Sequence, residues 1–228
     1  MTQLALFDLD FTLIPFDSDQ AWGRFMVEHG LVDAAEFERI DAVFAAGYAA
    51  GTLDIHAHLC AMLAPLARHS RERLAQWHAR FMDDVVRPAI PSAALELVRR
   101  HRARGDLCCV VTATNAFIAR PIAHAFGIDA LIACEPETVD RRPGSAYTGR
   151  PTGVPSYREG KIVRTDAWLA SLGFAWSDFE RSWFYSDSHN DVPLLETVTD
   201  AVATNPDERL RDVARVRGWR IVELFETV

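Results

Sequence analysis

The chain has 228 residues, 49% of them hydrophobic and 25% charged, the mixture of a folded globular protein and not of a disordered, collagen-like or membrane-embedded one. Such a length carries one large domain, or a core with a sizeable insertion. Its 32 acidic residues against 24 basic ones give a formal charge of -8, the reverse of the basic excess expected of a nucleic-acid binder. The short basic runs Arg99-Arg100-His101-Arg102 and Arg141-Arg142 read as solvated surface and do not alter this.

Leu4–Phe7 is a short apolar run ending in Asp8-Leu9-Asp10, the pattern of a buried strand with polar groups at its C-terminal end. Open α/β sheets place ligands there. The Met-Thr-Gln start has neither the basic stretch nor the length of a signal peptide, and no apolar run approaches the ~20 residues of a membrane span, so a cytoplasmic protein without a membrane partner is expected. Between Asp17 and Arg87, apolar residues recur at three-to-four spacing: Trp22, Phe25 and Met26; Phe37, Ile40 and Phe44; Ile55, Leu59 and Met62; Leu74, Trp77 and Phe81. Bounded by Pro15 and by Pro88 and Pro91, this predicts an all-helical insertion over 16–88, with 1–15 and 89–228 forming the core.

Beyond Pro91 the pattern alternates. A helix over Ala93–Arg104 is ended by Gly105, and a strand over Leu107–Val111 ends at Thr112. A helix is expected from about Arg120, because Pro121 suits a first helical position, and then a strand over Ile128–Cys134. The Pro- and Gly-rich Glu135–Gly160 reads as a loop or irregular hairpin, of the kind that is functional or mobile. Further strands are expected at Trp183–Tyr185, ending at Ser186-Asp187, at Ala201–Ala203 and at Trp219–Leu224. Cys60, Cys108, Cys109 and Cys134 lack the spacing of a zinc site or disulfide framework, and adjacent Cys108 and Cys109 should point to opposite faces of their strand. Packing in a reducing interior is their reading.

Two strand ends carry chemistry. Asp8 and Asp10, at i and i+2 of an extended segment, face the same side, and like charges so close need a cation or a shared proton. Ser186-Asp187-Ser188-His189-Asn190-Asp191 offers carboxylate and carboxamide oxygens suited to a hard cation such as Mg²⁺, although alone it also reads as an Asx-rich turn and helix cap. Thr112 and Lys161 add a hydroxyl and an ammonium for the non-reacting oxygens of a phosphoryl group; alone, each reads as a turn hydroxyl and a solvated lysine.

The order of these four elements resembles the motifs of the haloacid dehalogenase superfamily over nearly the whole chain. The helical insertion after the first motif is similar to the cap of its phosphoserine phosphatase branch, and "DLDFTLIPFDSDQAWG" (Asp8–Gly23) resembles histidinol-phosphatase-like bacterial members. The resemblance implies an α/β fold with a Rossmann-like three-layer core, a mostly parallel sheet and an all-helical cap after the first strand. It further implies Asp8 as the nucleophile that forms an aspartyl-phosphate, and Asp10 as general acid and then base. Mg²⁺ would be held by Asp8, the backbone carbonyl of Asp10, and Asp187, with phosphate bound by Thr112 and Lys161. Asp191 would orient Lys161 or metal-bound water, with Ser188 and Asn190 as lesser partners.

The expected partner is a small phosphate ester selected by the cap. Asp17 stands where amino-phosphate phosphatases of this branch carry an acid for the substrate ammonium, while Asp17 and Asp19 equally suit a helix N-terminus. Where phosphoserine phosphatases carry an arginine for the substrate carboxylate, Thr52–Ala67 has no Lys or Arg. Phosphoserine therefore fits less well than histidinol phosphate unless Arg24 or Arg39 substitutes. Phe16 and Trp22 read as core residues before they read as imidazole contacts. His56 and His58 diverge by ~200° on a helix and make no metal pair, and His189 reads as an exposed bystander. A phospho-aspartate receiver is the alternative from another class, but such modules run to about 120 residues without a cap. Nothing in the sequence marks an oligomeric state.

Overall fold

A computed structural model of the chain describes residues 3–140, 142 and 144–225, apart from the side chains of Tyr48 and Ala49. Arg141, of the basic pair noted above, lies outside the described residues.

The first strand, β1 (Leu4–Phe7), is wholly buried. Helices follow: α1 (Ser18–Glu28), α2 (Ala34–Ala50), α3 (Ile55–Leu63) and α4 (Arg71–Phe81), then a wide turn, Met82–Val86, and the single turn α5 (Arg87–Ala89). The starts of α1, α3 and α4 are set by Asp17, Asp54 and Ser70, whose side-chain oxygens accept the N–H of Gln20, Ala57 and Arg73. The alternating part comprises α6 (Ser92–Ala103), β2 (Leu107–Asn115), α7 (Ala116–Ala125), β3 (Ala130–Thr138), β4 (Tyr147–Thr152), α8 (Glu159–Ser171), β5 (Ser182–Ser186), α9 (Val192–Leu195), β6 (Asp200–Thr204), α10 (Glu208–Arg217) and β7 (Arg220–Val222).

The seven strands form one sheet in the order β4-β3-β2-β1-β5-β6-β7, parallel except for the β3–β4 pair. The two-residue alternation divides side chains between its faces. Ala5, Phe7, Val110, Tyr185 and Val202 pack with α6, α7 and the helices of 18–89; Leu4, Leu6, Cys109, Val111, Phe184 and Ala203 pack with α8, α9 and α10. The result is the three-layer α/β core expected from the sequence. Cys108 and Cys109 face opposite layers, and all four thiols are unbridged. The strand order reverses at β1, with β2 on one side and β5 on the other, so a crevice opens outside their C-terminal ends.

Two local expectations are corrected. Helix α7 begins at Ala116, because Asn115 caps it by accepting the Ile118 N–H, and Pro121 lies inside the helix. Strand β3 runs past its expected end at Cys134 to Thr138 and pairs with β4, so much of 135–160 takes the irregular-hairpin form of the expected loop or hairpin; Pro136 faces Pro151 across it, which hides the strand signal. The hairpin rests on the helical layer, where Arg71 lies over the Tyr147 ring at 3.9 Å and a Cβ on Gly149 would approach Ala64 Cα to 3.2 Å. Among the described residues, no helix is long and apolar enough to cross a membrane.

Candidate active site

The ladder between β1 and β5 continues one step past the strand, as the Asp8 N–H donates to Tyr185 O at 2.9 Å. This fixes the Asp8 carboxylate at the sheet edge, where Lys161 Nζ lies 2.9 Å from Oδ1. The same ammonium reaches Asp191 Oδ2 at 2.6 Å, and that oxygen also accepts the Ser186 hydroxyl at 2.7 Å. Burial alone would favour the neutral amine, but the charges of Asp191 and Asp8 outweigh it and hold Lys161 protonated. Burial likewise pushes the Asp8 carboxyl up to about 6 against the pull of Lys161. Lys161 sits in the first turn of α8 and not in the preceding loop. Gly160 makes that placement sterically accessible, since a Cβ there would come within 2.1 Å of Pro155 O.

Asp10 is held at both oxygens: Oδ1 accepts the Ser18 N–H at 3.0 Å, and Oδ2 accepts the Thr114 hydroxyl at 2.6 Å. Burial, then the charges of Asp17 and Asp8, nevertheless keep its carboxyl well above the ordinary range, which favours the protonated form. The turn between these acids and α1 has Phe11 at φ 53°, pinned by Asn205 Nδ2 donating to Phe11 O at 2.9 Å. Buried Thr12 ties the turn to the loop after β5, accepting the Asp187 N–H at 2.9 Å and donating to Asp187 Oδ1 at 3.2 Å.

These groups meet in a cavity of about 250 Å³. Asp8, Asp10, Asp17, Thr112, Lys161, Asp187 and Asp191 all line it, so every candidate site residue except Ser188 and Asn190 is brought there. Asn190 lies behind, where Oδ1 accepts the Tyr157 hydroxyl and Arg158 Nε, each at 3.2 Å. Asp17 is both cap and cavity residue: it accepts the Gln20 N–H at 2.8 Å, and burial and the Asp19 charge push its carboxyl up to about 6. The remaining wall includes Asp19, Gln20, Asp41, Phe44, Leu53, Ile55, His58 and Met62. Gln20 Nε2 donates to Asp41 at 2.8 Å. Among the described residues Lys161 is the one Lys or Arg lining the cavity; Arg24 and Arg39 are exposed and do not reach it.

Trp22 stacks with Phe25 and His78 in the core, Phe16 packs against that core, and neither lines the cavity. His56 is exposed, whereas His58 lines the wall. The bystander reading of His189 is corrected. Its Nδ1 lies 2.8 Å from Asp207 Oδ2 and its Nε2 3.0 Å from Arg209, and Asp207 both caps α10 and donates its N–H to Asp187 O at 2.8 Å. His189 therefore braces the loop that carries Asp187.

The donor set fits a hard divalent cation. Burial and the negative charges of Asp8 and Asp191 hold Asp187 well above its ordinary value, a mutual repulsion that a cation between Asp8 and Asp187 would relieve. Among the described residues no three His, Cys, Asp or Glu side chains form an all-protein cage. Two carboxylates and the Asp10 carbonyl would leave positions for water and phosphate oxygens, as Mg²⁺ prefers.

Thr114, His58 and Asp41 were not singled out as cavity residues by sequence. For Thr114 a signal existed, because it follows Thr112 by the two-residue period of one strand face. The others depend on how the helices dock.

A family model for haloacid dehalogenase-like hydrolases matches residues 5–196. The chain is 45% identical over 222 residues to a histidinol-phosphatase of Neisseria meningitidis serogroup C (strain 8013), covering 97% of this chain and 99% of that one. A crystal structure of a protein of unknown function from Bordetella pertussis Tohama I superposes with a TM-score of 0.92 at 50% identity, over 99% of this chain and 100% of that one. A substrate-bound phosphoserine phosphatase shares the fold at a TM-score of 0.67 and 17% identity, over 99% and 94% of the two chains. On the match across most of its length, the chain belongs to the haloacid dehalogenase-like hydrolase family.

Proposed function

We propose that this phosphatase hydrolyses a small phosphate monoester bearing an amino group, with histidinol phosphate the best fit. The observation that carries the reading is one cavity lined by Asp8, Asp10, Thr112, Lys161 and Asp187 and also by Asp17 and Asp41, with no Lys or Arg other than Lys161 among the described residues that line it. The floor suits a phosphate held by a cation and an ammonium, and the wall suits a ligand that brings its own positive charge. A substrate carboxylate would meet Asp17, Asp19 and Asp41 there, which places phosphoserine second. The name of the 45% identical relative supports the same order.

Asp8 attacks phosphorus in line: an Asp8 carboxylate oxygen bonds to phosphorus as the bond to the ester oxygen breaks, giving an aspartyl-phosphate. Asp10, whose surroundings favour its protonated form, delivers a proton to the departing alkoxide to form the alcohol. The resulting Asp10 carboxylate then accepts a proton from the water that cleaves the aspartyl-phosphate, releasing inorganic phosphate and restoring both acids. Lys161 and Thr112 bind the phosphoryl oxygens that do not react, and Asp191 keeps Lys161 in place. Asp8, Asp187 and the Asp10 carbonyl would hold Mg²⁺, which when bound would supply charge neutralisation for those oxygens. Residues 16–88 act as the cap over a core formed by 1–15 and 89–228, supported by the cavity wall coming largely from α1, α2 and α3. The unbridged cysteines support a reducing, cytoplasmic setting.

The test is hydrolysis of histidinol phosphate, O-phosphoserine and p-nitrophenyl phosphate with Mg²⁺ and with EDTA. Turnover that requires Mg²⁺, favours histidinol phosphate and disappears in Asp8→Asn is expected. Undiminished turnover in Asp8→Asn overturns the mechanism, and a preference for O-phosphoserine overturns the substrate.

A further inference from the structure

Helix α2 turns one stripe inward: Phe37 is buried and Ile40, Asp41, Phe44 and Gly47 are half-buried, while its other positions from 34 to 47 are exposed. The spacing is that of a single helical face, and Asp41 is the one charged residue on it. Phe37 docks this face on α1 at Gly23, where a Cβ would come within 2.0 Å of the ring. Gln20 precedes Gly23 by one helical turn and Asp41 follows Phe37 by one, so each is the next neighbour along its helix. The same docking therefore sets Gln20 against Asp41, and Gln20 Nε2 donates to Asp41 Oδ2 at 2.8 Å. Both residues line the cavity. Asp41 Oδ1 has no hydrogen-bond partner among the described residues and remains accessible. Asp17 is bound into the fold differently, with one oxygen committed to the α1 cap and its charge acting on Asp10.

We infer that Asp41 is the specificity-determining residue that takes the substrate ammonium on its open Oδ1, and that Gln20 is the positioning residue that aims it. The inference rests on the substrate reading above. Gln20 acts through Asp41: by holding Oδ2 it fixes the carboxylate against the wall, so that little side-chain freedom is left to lose when the ammonium arrives. A bond between an ammonium and a carboxylate is of the stronger, charge-assisted kind. An ester with hydrogen in place of the ammonium leaves Oδ1 without that bond, and one with a carboxylate there meets like charge.

The experiment measures kcat and KM in Mg²⁺ for histidinol phosphate and for its deamino counterpart, the same ester with hydrogen in place of the ammonium group. The proteins compared are wild type, Asp41→Asn, Gln20→Met, the double variant and Asp17→Asn. Asparagine keeps the shape of Asp41 and still accepts from Gln20, and methionine keeps the length of Gln20 without a donor. The selectivity ratio in kcat/KM is expected to fall about tenfold or more in Asp41→Asn and about three- to tenfold in Gln20→Met. Both falls should appear as a raised KM for histidinol phosphate with kcat within about twofold of wild type, and the double variant should match Asp41→Asn. A wild type that prefers neither ester overturns the reading of an amino-bearing substrate, and the inference with it. A wild-type preference that Asp41→Asn retains overturns the Asp41 inference alone. A fall in Asp17→Asn with none in Asp41→Asn assigns the ammonium to Asp17 and likewise overturns it. If the effects of the two single variants multiply in the double variant, Gln20 does not act through Asp41 and its positioning role is overturned.

Discussion

Replacing Lys161 by methionine removes one charge from a buried triad while keeping most of the side-chain volume. Its ammonium lies 2.9 Å from Asp8 and 2.6 Å from Asp191, with the three side chains 3%, 8% and 3% exposed. At an effective dielectric of about 20, each attraction is worth roughly 6 kcal/mol, set against the cost of desolvating three charges. Removing the one cation leaves two buried carboxylates uncompensated, and breaking a buried pair in this way costs about 3–5 kcal/mol. For a chain of this size that is a fall in Tm of roughly 6–20 °C. Urea denaturation in EDTA, so that no divalent ion replaces the lost charge, measures the cost directly. The double variant Lys161→Met with Asp191→Asn removes one of the stranded charges and is expected to recover at least ~1 kcal/mol. Its kcat/KM should stay as low as that of the single variant, about 100-fold or more below wild type, because the phosphoryl oxygens still lack their ammonium. If the single variant is as stable as wild type, or the double variant is no more stable than the single, the triad does not carry the energetics assigned to it.

Thr114→Val removes the hydroxyl held 2.6 Å from Asp10. Turnover of an alkyl phosphate is expected to fall about 10- to 100-fold, with less effect on p-nitrophenyl phosphate, whose leaving group needs no proton, and Thr114→Ser should restore it. Equal losses on both esters would show that Thr114 serves the phosphate and not Asp10. His78 lies among Trp22, Phe81 and Phe117, where burial pushes its imidazole down to about 4. Because the unfolded chain then takes up the proton first, stability is full above pH ~6.5 and falls by roughly 3 kcal/mol as the pH drops towards 4. His78→Phe should flatten that slope in urea titrations, and an unchanged slope would assign it to other groups.

The strand ends were legible because the chemistry there depends on local pattern. Leu4–Phe7 reads as buried from its own composition, and Asp8 and Asp10 share a side through the two-residue period alone. Positions fixed by docking were not. Helical spacing separates His56 from His58 but does not say which one turns inward, and that depends on how α3 meets α1 and β2 through Asp19 and Asn115. Asp17 shows the limit of choosing between roles, since one carboxylate both caps α1 and faces the cavity. Local signals also compete: the Asn115 cap outweighed the Pro121 preference, and the facing prolines Pro136 and Pro151 concealed the continuation of β3 beyond Cys134.

The acidic composition has a physical meaning at the site. Seven aspartates line the cavity, Asp8, Asp10, Asp17, Asp19, Asp41, Asp187 and Asp191, against Lys161 and His58. A phosphate dianion entering such a space is repelled unless positive charge accompanies it. On the proposed reading that charge comes from two places. A divalent ion between Asp8 and Asp187 draws in the phosphate, and the substrate's own ammonium answers Asp17 and Asp41 at the wall. A dipolar ligand is thereby aligned by the field before any contact is made, with its phosphorus end at Asp8. An ester lacking the ammonium keeps the first attraction and loses the second, so on this reading the cavity discriminates by charge before shape.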